Sequence, residues 1–361
     1  MNMHSGRLLA LPLAILLASC GASDSTSPAR NDEPLLSARA TVTEVAAIRG
    51  GFLPISHVRV ALCSDKLYFT QPSPSSVSVI DLTSGLISPL FSSQRGFLTA
   101  IACDASGEES RVISIARGGI FSEGGVTYLF NNDSLYVSTR GIMRYSPVNT
   151  ITQIKMLSSN EFIASDWDSS VSSIWTVRYD RRESSDTLDV SAEIINSEEL
   201  GDYYSIVGHT SIAVSPQTGA IYVFRYHALW RFDSQNQLEL IAGQKNVRGY
   251  RDAQGADALF STNGFENPIA VDFDENIYVA DQGSGTIRKV DVNGNVSTVV
   301  GNVSITDGNP APSTGRGDGV RFGYFQDIAF DPVRNALWVV ALNPRNRVAG
   351  PYSIYRVLFE Q

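Results

Sequence analysis

Asn267–Gly301 reads NPIAVDFDENIYVADQGSGTIRKVDVNGNVSTVVG. It holds four short runs, Ile269–Phe273, Ile277–Ala280, Thr286–Asp291 and Val296–Val300. Each run is rich in Val, Ile, Tyr or Thr, residues that suit a pleated and half-buried surface. The breaks carry Asp-Glu-Asn, Gly-Ser-Gly and Asn-Gly-Asn, which favour tight turns. The stretch therefore predicts a small antiparallel sheet of four strands.

The same unit returns elsewhere. Ser211–Gly243 reads SIAVSPQTGAIYVFRYHALWRFDSQNQLELIAG, and Asp327–Phe359 reads DIAFDPVRNALWVVALNPRNRVAGPYSIYRVLF. Their shared core is Ile-Ala-(Val/Phe)-(Asp/Ser), a turn, then (Ile/Leu)-(Tyr/Trp)-Val. A diverged copy spans His57–Phe91, with VRVALCSDKLYFT, SVSVIDL and LISPLF. Repetition at such a period is the signature of a propeller or solenoid. The pattern resembles the NHL repeat. Pro268, Ile269, Ala270, Val271, Asp272, Ile277, Tyr278, Val279, Ala280, Asp281, Ile287, Lys289, Gly294, Thr298 and Gly301 stand at matching positions. Gly249–Phe260 (GYRDAQGADALF) and Gly317–Phe322 (GDGVRF) resemble the family's approach to the next blade. The resemblance is strong over 205–361, fair over 55–95 and weak over 96–200. It implies an all-β fold, a six-bladed β-propeller of the NHL/TolB-like kind.

The weak middle divides by strand count. FLTAIACD, RVISIA, VTYLF and SLYVSTRGIMRY fit one blade at about 97–147. ITQIKML, EFIASD, SSIWTVRYD and DVSAEII fit another at about 149–196. This gives six blades of about 50 residues. A seventh, running from VTYLF through QIKML, would leave two incomplete blades in succession. The last copy ends after three strands. Its missing strand has a counterpart at the start, where Thr41-Val42-Thr43-Glu44-Val45-Ala46 resembles Val296-Ser297-Thr298-Val299-Val300. Residues 40–47 are thus expected to supply the outer strand of the last blade and to close the ring, covering exposed strand edges.

The beginning of the chain reads as an address. Arg7 precedes an 11-residue apolar run, Leu8 to Ala18. That is shorter than the roughly 20 residues of a membrane-spanning helix and fits a secretory signal. The run ends in Leu17-Ala18-Ser19-Cys20, which resembles the lipobox of bacterial lipoproteins. The resemblance implies cleavage before Cys20 and acylation of its sulfur and new amino group, so the partner there is a lipid membrane. Gly21 follows, where Asp would favour inner-membrane retention, so the outer membrane is the expected address. Residues 1–19 are then the signal peptide, 20–38 the acylated Cys and a tether rich in Ser, Ala, Pro, Asp and Asn, and 39–361 the propeller. An ordinary signal peptide that happens to contain Cys is the plainer alternative.

The whole chain has 361 residues, 28 Lys and Arg against 37 Asp and Glu, and 43 % apolar residues. The apolar share excludes a disordered chain. Removal of residues 1–19 leaves a net charge of −10 without a basic run. Clustered cations are what phosphate contacts need, so no nucleic-acid partner is expected. Three Cys exclude a disulfide-dense scaffold. Cys63 and Cys103 lie near the ends of neighbouring inner strands, and either a bridge or two buried thiols fits them. A monomer is expected.

In a propeller, loops leading into the first strand and turns between strands two and three share one face, where family ligands usually bind. His57, His209 and His227 map to that face, as do Asn267 and Gln326. Some NHL-type lyases hold zinc in the channel through His, and imidazole is a common metal ligand. The senescence-marker and gluconolactonase family holds a divalent ion with Glu, Asn and Asp at the channel mouth, where this chain has Glu266, Asn267, Gln326 and Asp327. Zinc or calcium is therefore one expectation, and a polar mouth without metal the plainer one. Asp272 and Asp331 recur by repeat register and are expected to satisfy turn amides. Arg316-Gly317-Asp318 spells a recognition tripeptide but also fits the linker. Asp166-Trp167-Asp168 occurs once, without the partners of a WD repeat. No phosphate loop, nucleophile elbow or paired metal motif is present. The reading is an anchored, exported lipoprotein whose propeller binds a protein, peptide or glycan ligand. The alternative is a lyase- or lactonase-like metalloenzyme.

Overall fold

The structure is a computed structural model. It describes residues 40–48, 58–72, 75–92, 97–104, 111–117, 126–131, 134–138, 150–167, 171–181, 188–199, 210–261, 266–303, 314–342 and 352–360. The signal, Cys20, the tether, His57 and His209 lie outside the described residues. All described residues fall within one compact unit, Leu35–Gln361.

Alternation of apolar and polar residues, broken by turn residues, makes antiparallel sheets throughout. The described strands form five sheets of four strands and one of five. The first sheet is β2 (Val60–Cys63), β3 (Lys66–Pro72), β4 (Ser75–Asp81) and β5 (Ile87–Ser92). The second is β6 (Phe97–Asp104), β7 (Arg111–Arg117), β8 (Val126–Asn131) and β9 (Ser134–Ser138). The third is β10 (Thr150–Ser158), β11 (Glu161–Trp167), β12 (Val171–Arg181) and β13 (Leu188–Glu199). The fourth is β14 (Ser211–Val214), β15 (Ile221–Arg225), β16 (Ala228–Phe232) and β17 (Leu238–Gly243). The fifth is β18 (Ile269–Val271), β19 (Ile277–Asp281), β20 (Thr286–Val290) and β21 (Val296–Val300). The last combines β22 (Gly315–Arg316), β23 (Phe325–Asp331), β24 (Ala336–Leu342) and β25 (Tyr352–Phe359) with β1 (Ala40–Ile48). VTYLF falls in the second sheet and QIKML in the third, so no sheet runs from one to the other.

The first strands adjoin one another in cyclic order. Each of β2, β6, β10, β14 and β18 neighbours the next, β18 neighbours β23, and β23 neighbours β2. The fold is an all-β propeller. Its last sheet has the order β22-β1-β25-β24-β23. The amino-terminal strand pairs antiparallel with the carboxy-terminal one, from Ala40 opposite Phe359 to Ile48 opposite Tyr352. The strand predicted over 40–47 is therefore present, and β22 covers its outer edge. Ala40, Val42 and Ile48 bury their side chains there.

Turn chemistry follows the repeat. Asp272 Oδ1 accepts the amides of Asp274 and Asn276 at 2.9 and 2.8 Å. Asp331 Oδ1 accepts those of Val333 and Arg334 at 3.0 and 3.1 Å. Both turn roles expected of these Asp residues are met. Gly301, at φ +103°, ends its sheet where a Cβ would approach Thr286 Cγ2 to 2.8 Å, so the repeat requires Gly there.

The linkers are anchored from the sheets. Arg288 is fully buried on β20. Its guanidinium donates to Asp252 at 2.5 Å and to Asp281 at 3.1 Å, and lies 4.4 Å over the Tyr250 ring. Asp252 also accepts the Thr298 amide at 2.9 Å, which pins GYRDAQGADALF to the fifth sheet. Burial pushes the Asp281 carboxyl up to about 6, with Arg288 and the Ser261 amide pulling the other way. In the second linker, Gly317 O accepts the Gly301 amide at 2.7 Å. The Arg-Gly-Asp tripeptide is thus part of the connection between sheets.

Cys63 and Cys103 form a disulfide with a Cα separation of 5.8 Å. It joins the end of β2 to β6 and settles the alternative that the sequence leaves open. Closing a loop over 40 residues stabilises the fold by roughly 4 kcal/mol on a chain-entropy basis.

Candidate functional site at the channel mouth

The first strands align on their Ile or Val: Val60-Ala61, Ile101-Ala102, Ile154-Lys155, Ile212-Ala213, Ile269-Ala270 and Ile328-Ala329. The apolar residue is buried in each. The next position is Ala in five sheets, where a small side chain lets the crowded inner strands approach. Only the third sheet differs, with Lys155. The preceding position is Arg59, Ala100, Gln153, Ser211, Pro268 and Asp327. These residues mark the mouth.

Arg59 crosses it. Its side chain is 1 % exposed. Nε donates to Thr99 O at 3.4 Å in the second sheet, and Nη1 to Gln326 O at 2.6 Å in the last. Nη2 pairs with Glu266 Oε2, leading into the fifth. One guanidinium thereby touches three sheets besides its own. Other mouth side chains act as clasps between neighbours. Asp327 Oδ2 accepts the Val60 amide at 3.1 Å, and Gln153 Oε1 accepts the Ile212 amide at 2.8 Å. Lys155 Nζ stands 3.9 Å from Asp327 Oδ1.

The side chains predicted for a ligand or metal site are drawn into this clasp system. Asn267, 3 % exposed, accepts the Gln282 amide through Oδ1 at 2.8 Å. Gln282 in turn makes a two-way clasp with the Phe325 backbone at 2.7 and 3.1 Å. Gln326 Oε1 accepts the Val58 amide at 3.4 Å. His227 occupies the turn between β15 and β16, with φ +54° and +65° at Tyr226 and His227, the hairpin conformation that matches strand twist. It is 8 % exposed. Burial, reinforced by the charge of Arg248, holds its imidazole below the usual histidine range.

A divalent cation does not fit the described donors. Glu266 already faces a guanidinium, Asn267 Oδ1 and both Asp327 oxygens accept backbone amides, and Gln326 is likewise engaged. Among the described residues no group of three or more His, Cys, Asp or Glu has metal-binding geometry. A built-in cation, Arg59, stands against the carboxylate that the metal expectation invoked. Sequence reasoning missed Arg59, Gln153 and Lys155. The available signal was alignment of the six first strands, where these residues interrupt small or apolar positions.

Three buried atoms at the mouth lack a hydrogen-bond partner among the described residues. They are Gln153 Nε2 on the third sheet, Ser211 Oγ on the fourth, and Glu266 Oε1 in the segment leading into the fifth. Buried polar atoms of this kind are normally satisfied by water or a ligand.

A cavity of about 580 Å³ lies along the first strands. All six first strands line it, and it reaches the β14–β15 turn at Ser215–Gly219.

Known proteins share this architecture. An auxiliary nutrient binding protein from Bacteroides thetaiotaomicron superposes with a TM-score of 0.58 at 14 % identity, over 89 % of this chain and 77 % of its own. A gluconolactonase from Xanthomonas campestris gives 0.52 at 12 %, over 90 % and 92 %. Regucalcin, a calcium-binding protein from Agrobacterium tumefaciens, gives 0.51 at 13 %, over 89 % and 97 %. At such identities the likeness concerns the fold. The sequence model of the Teneurin NHL domain matches residues 251–348. This chain is accordingly an all-β propeller that carries NHL-type sequence over 251–348.

Proposed function

We propose that this protein is an exported lipoprotein, anchored through acylated Cys20 and facing the periplasm or cell surface. Its six sheets act as six blades of one ring, and the mouth binds a protein, peptide or glycan. The carrying observation is the set of buried atoms without a partner among the described residues, Gln153 Nε2, Ser211 Oγ and Glu266 Oε1. An amide donor, a hydroxyl and a carboxylate oxygen together suit the mixed donors and acceptors of sugar hydroxyls or peptide groups. A nutrient-binding propeller and a gluconolactonase share the fold alike, so the choice of binding rests on these atoms. The metalloenzyme reading loses support because Arg59 engages the carboxylate that would hold the ion.

Two measurements test this. Radiolabelled palmitate should label the wild-type chain and not Cys20→Ala. Glycan and peptide arrays probed with the full chain in nanodiscs should give ligands whose binding falls at least tenfold in Gln153→Met and Ser211→Ala. Failure of every array ligand, or binding indifferent to both substitutions, removes the mouth from the proposal.

A further inference from the structure

Gln153, Ser211 and Glu266 are each more than nine-tenths buried, and each keeps one polar atom without a partner among the described residues. Gln153 Oε1 accepts the Ile212 amide at 2.8 Å, which lays its carboxamide against the start of β14, where Ser211 stands. Glu266 sits in the segment entering the next sheet, where Arg59 holds its other oxygen. Hydrogen-bond chemistry narrows what can meet these atoms. Gln153 Nε2 only donates, a carboxylate oxygen only accepts, and Ser211 Oγ does both. A matching ligand accepts at one end of the set and donates at the other. Hydroxyls do both by turning about one bond, and they are small enough for positions closed to solvent. An extended main chain is ordinarily held by backbone pairing along a strand edge, with pockets for alternate side chains. All three open atoms here belong to buried side chains.

Charge narrows the ligand further. Arg59 pairs with Glu266, and Lys155 with Asp327 at 3.9 Å, so these four formal charges cancel. A charged ligand would bring one that nothing in this set balances, and an unbalanced charge in a buried setting is costly. The rim adds an apolar surface. Tyr324 is 45 % exposed and leads into β23. It stands two positions before Gln326, whose carbonyl accepts from Arg59 Nη1. A sugar ring offers a face of C–H groups and an edge of hydroxyls. Granted the mouth site proposed above, we infer that its ligand is the neutral end of a glycan. Its hydroxyls meet Gln153, Ser211 and Glu266, and its C–H face lies on the Tyr324 ring.

An array of hexose, pentose and N-acetylhexosamine oligosaccharides tests this, probed with the full chain in nanodiscs. Each glycan is set beside congeners whose terminal sugar is the uronic acid or the unacetylated amino sugar. At least one neutral glycan should bind, at least roughly tenfold more tightly than both charged congeners. Tyr324→Ala should weaken it roughly fivefold, and Tyr324→Phe should retain it, both with Tm unchanged. Absence of neutral binding, a preference for the acid or the amine, or binding indifferent to Tyr324→Ala overturns the inference. A peptide or charged ligand that is lost in Gln153→Met and Ser211→Ala keeps the mouth site and overturns the neutral glycan. A neutral glycan indifferent to those two substitutions overturns both.

Discussion

Arg59 and Arg288 are the same residue at the same burial, each against carboxylates, yet they do different work. Arg288 acts locally. It ties β20 to the linker residue Asp252 and the strand residue Asp281, and both carboxylates also receive backbone amides. Arg59 acts across the ring. It reaches Glu266, 207 positions away in the chain, and leaves that carboxylate's second oxygen unpartnered among the described residues. A buried arginine with every partner satisfied is a staple. One that leaves a buried oxygen open marks a place where something else can bind.

The difference can be broken experimentally. The largest effect is expected from deleting residues 38–48. This removes β1, whose Ala40 and Val42 pack between the fifth and last sheets and whose Ile48 packs beside Val58 and Val60, next to Arg59. Tm should fall by roughly 10 °C or more, whereas deleting 22–37 should leave it unchanged. Equal melting temperatures for the two deletions would rule out closure by β1.

Arg288→Met comes next, at about 4 kcal/mol, because Asp281 is left buried and unpaired. The loss should depend on pH in a defined sense. Burial holds the folded Asp281 carboxyl at about 6, above its ordinary value of 3.8. Its contribution is therefore present below about 3.8 and lost as pH rises through the folded value. Without Arg288 the carboxyl rises further, so the variant's deficit in urea denaturation should be greatest near pH 8 and shrink toward pH 4. A deficit independent of pH would mean that Asp281 is not what Arg288 neutralises.

Arg59→Met should cost about 3 kcal/mol, and adding Glu266→Gln should recover much of it, since a neutral pair removes the stranded charge. Asp281→Asn should recover only part of the Arg288→Met loss, because the guanidinium also holds the linker through Asp252. Equal fractional recovery in the two pairs would erase the distinction.

The smallest effect concerns His227. Its imidazole is held below 6.5 by burial, so its contribution is present above that pH and lost as pH falls through the folded value. His227→Gln should flatten that part of the stability profile, measured by thermal melts between pH 7 and pH 5.

Much of the fold is legible in local sequence. The runs of 267–301 become β18 to β21 at nearly the predicted bounds, because alternation and turn residues act over a few positions. Even in the diverged middle, ITQIKML and EFIASD become β10 and β11. The mouth is less legible. His227, Asn267 and Gln326 were picked by residue type and position, and the structure draws all three into turns and clasps.

By itself, then, the sequence determined a four-stranded repeat, its turns, and a first strand that completes the last sheet. Each follows from short-range pattern or from likeness between repeats. Only the tertiary structure decided that Cys63 meets Cys103, that Arg59 closes on Glu266, and that Lys155 enters the channel toward Asp327. The physical reason is that the ring sets six first strands side by side. Residues tens to hundreds of positions apart become neighbours there, and no local signature announces which side chains will share that axis.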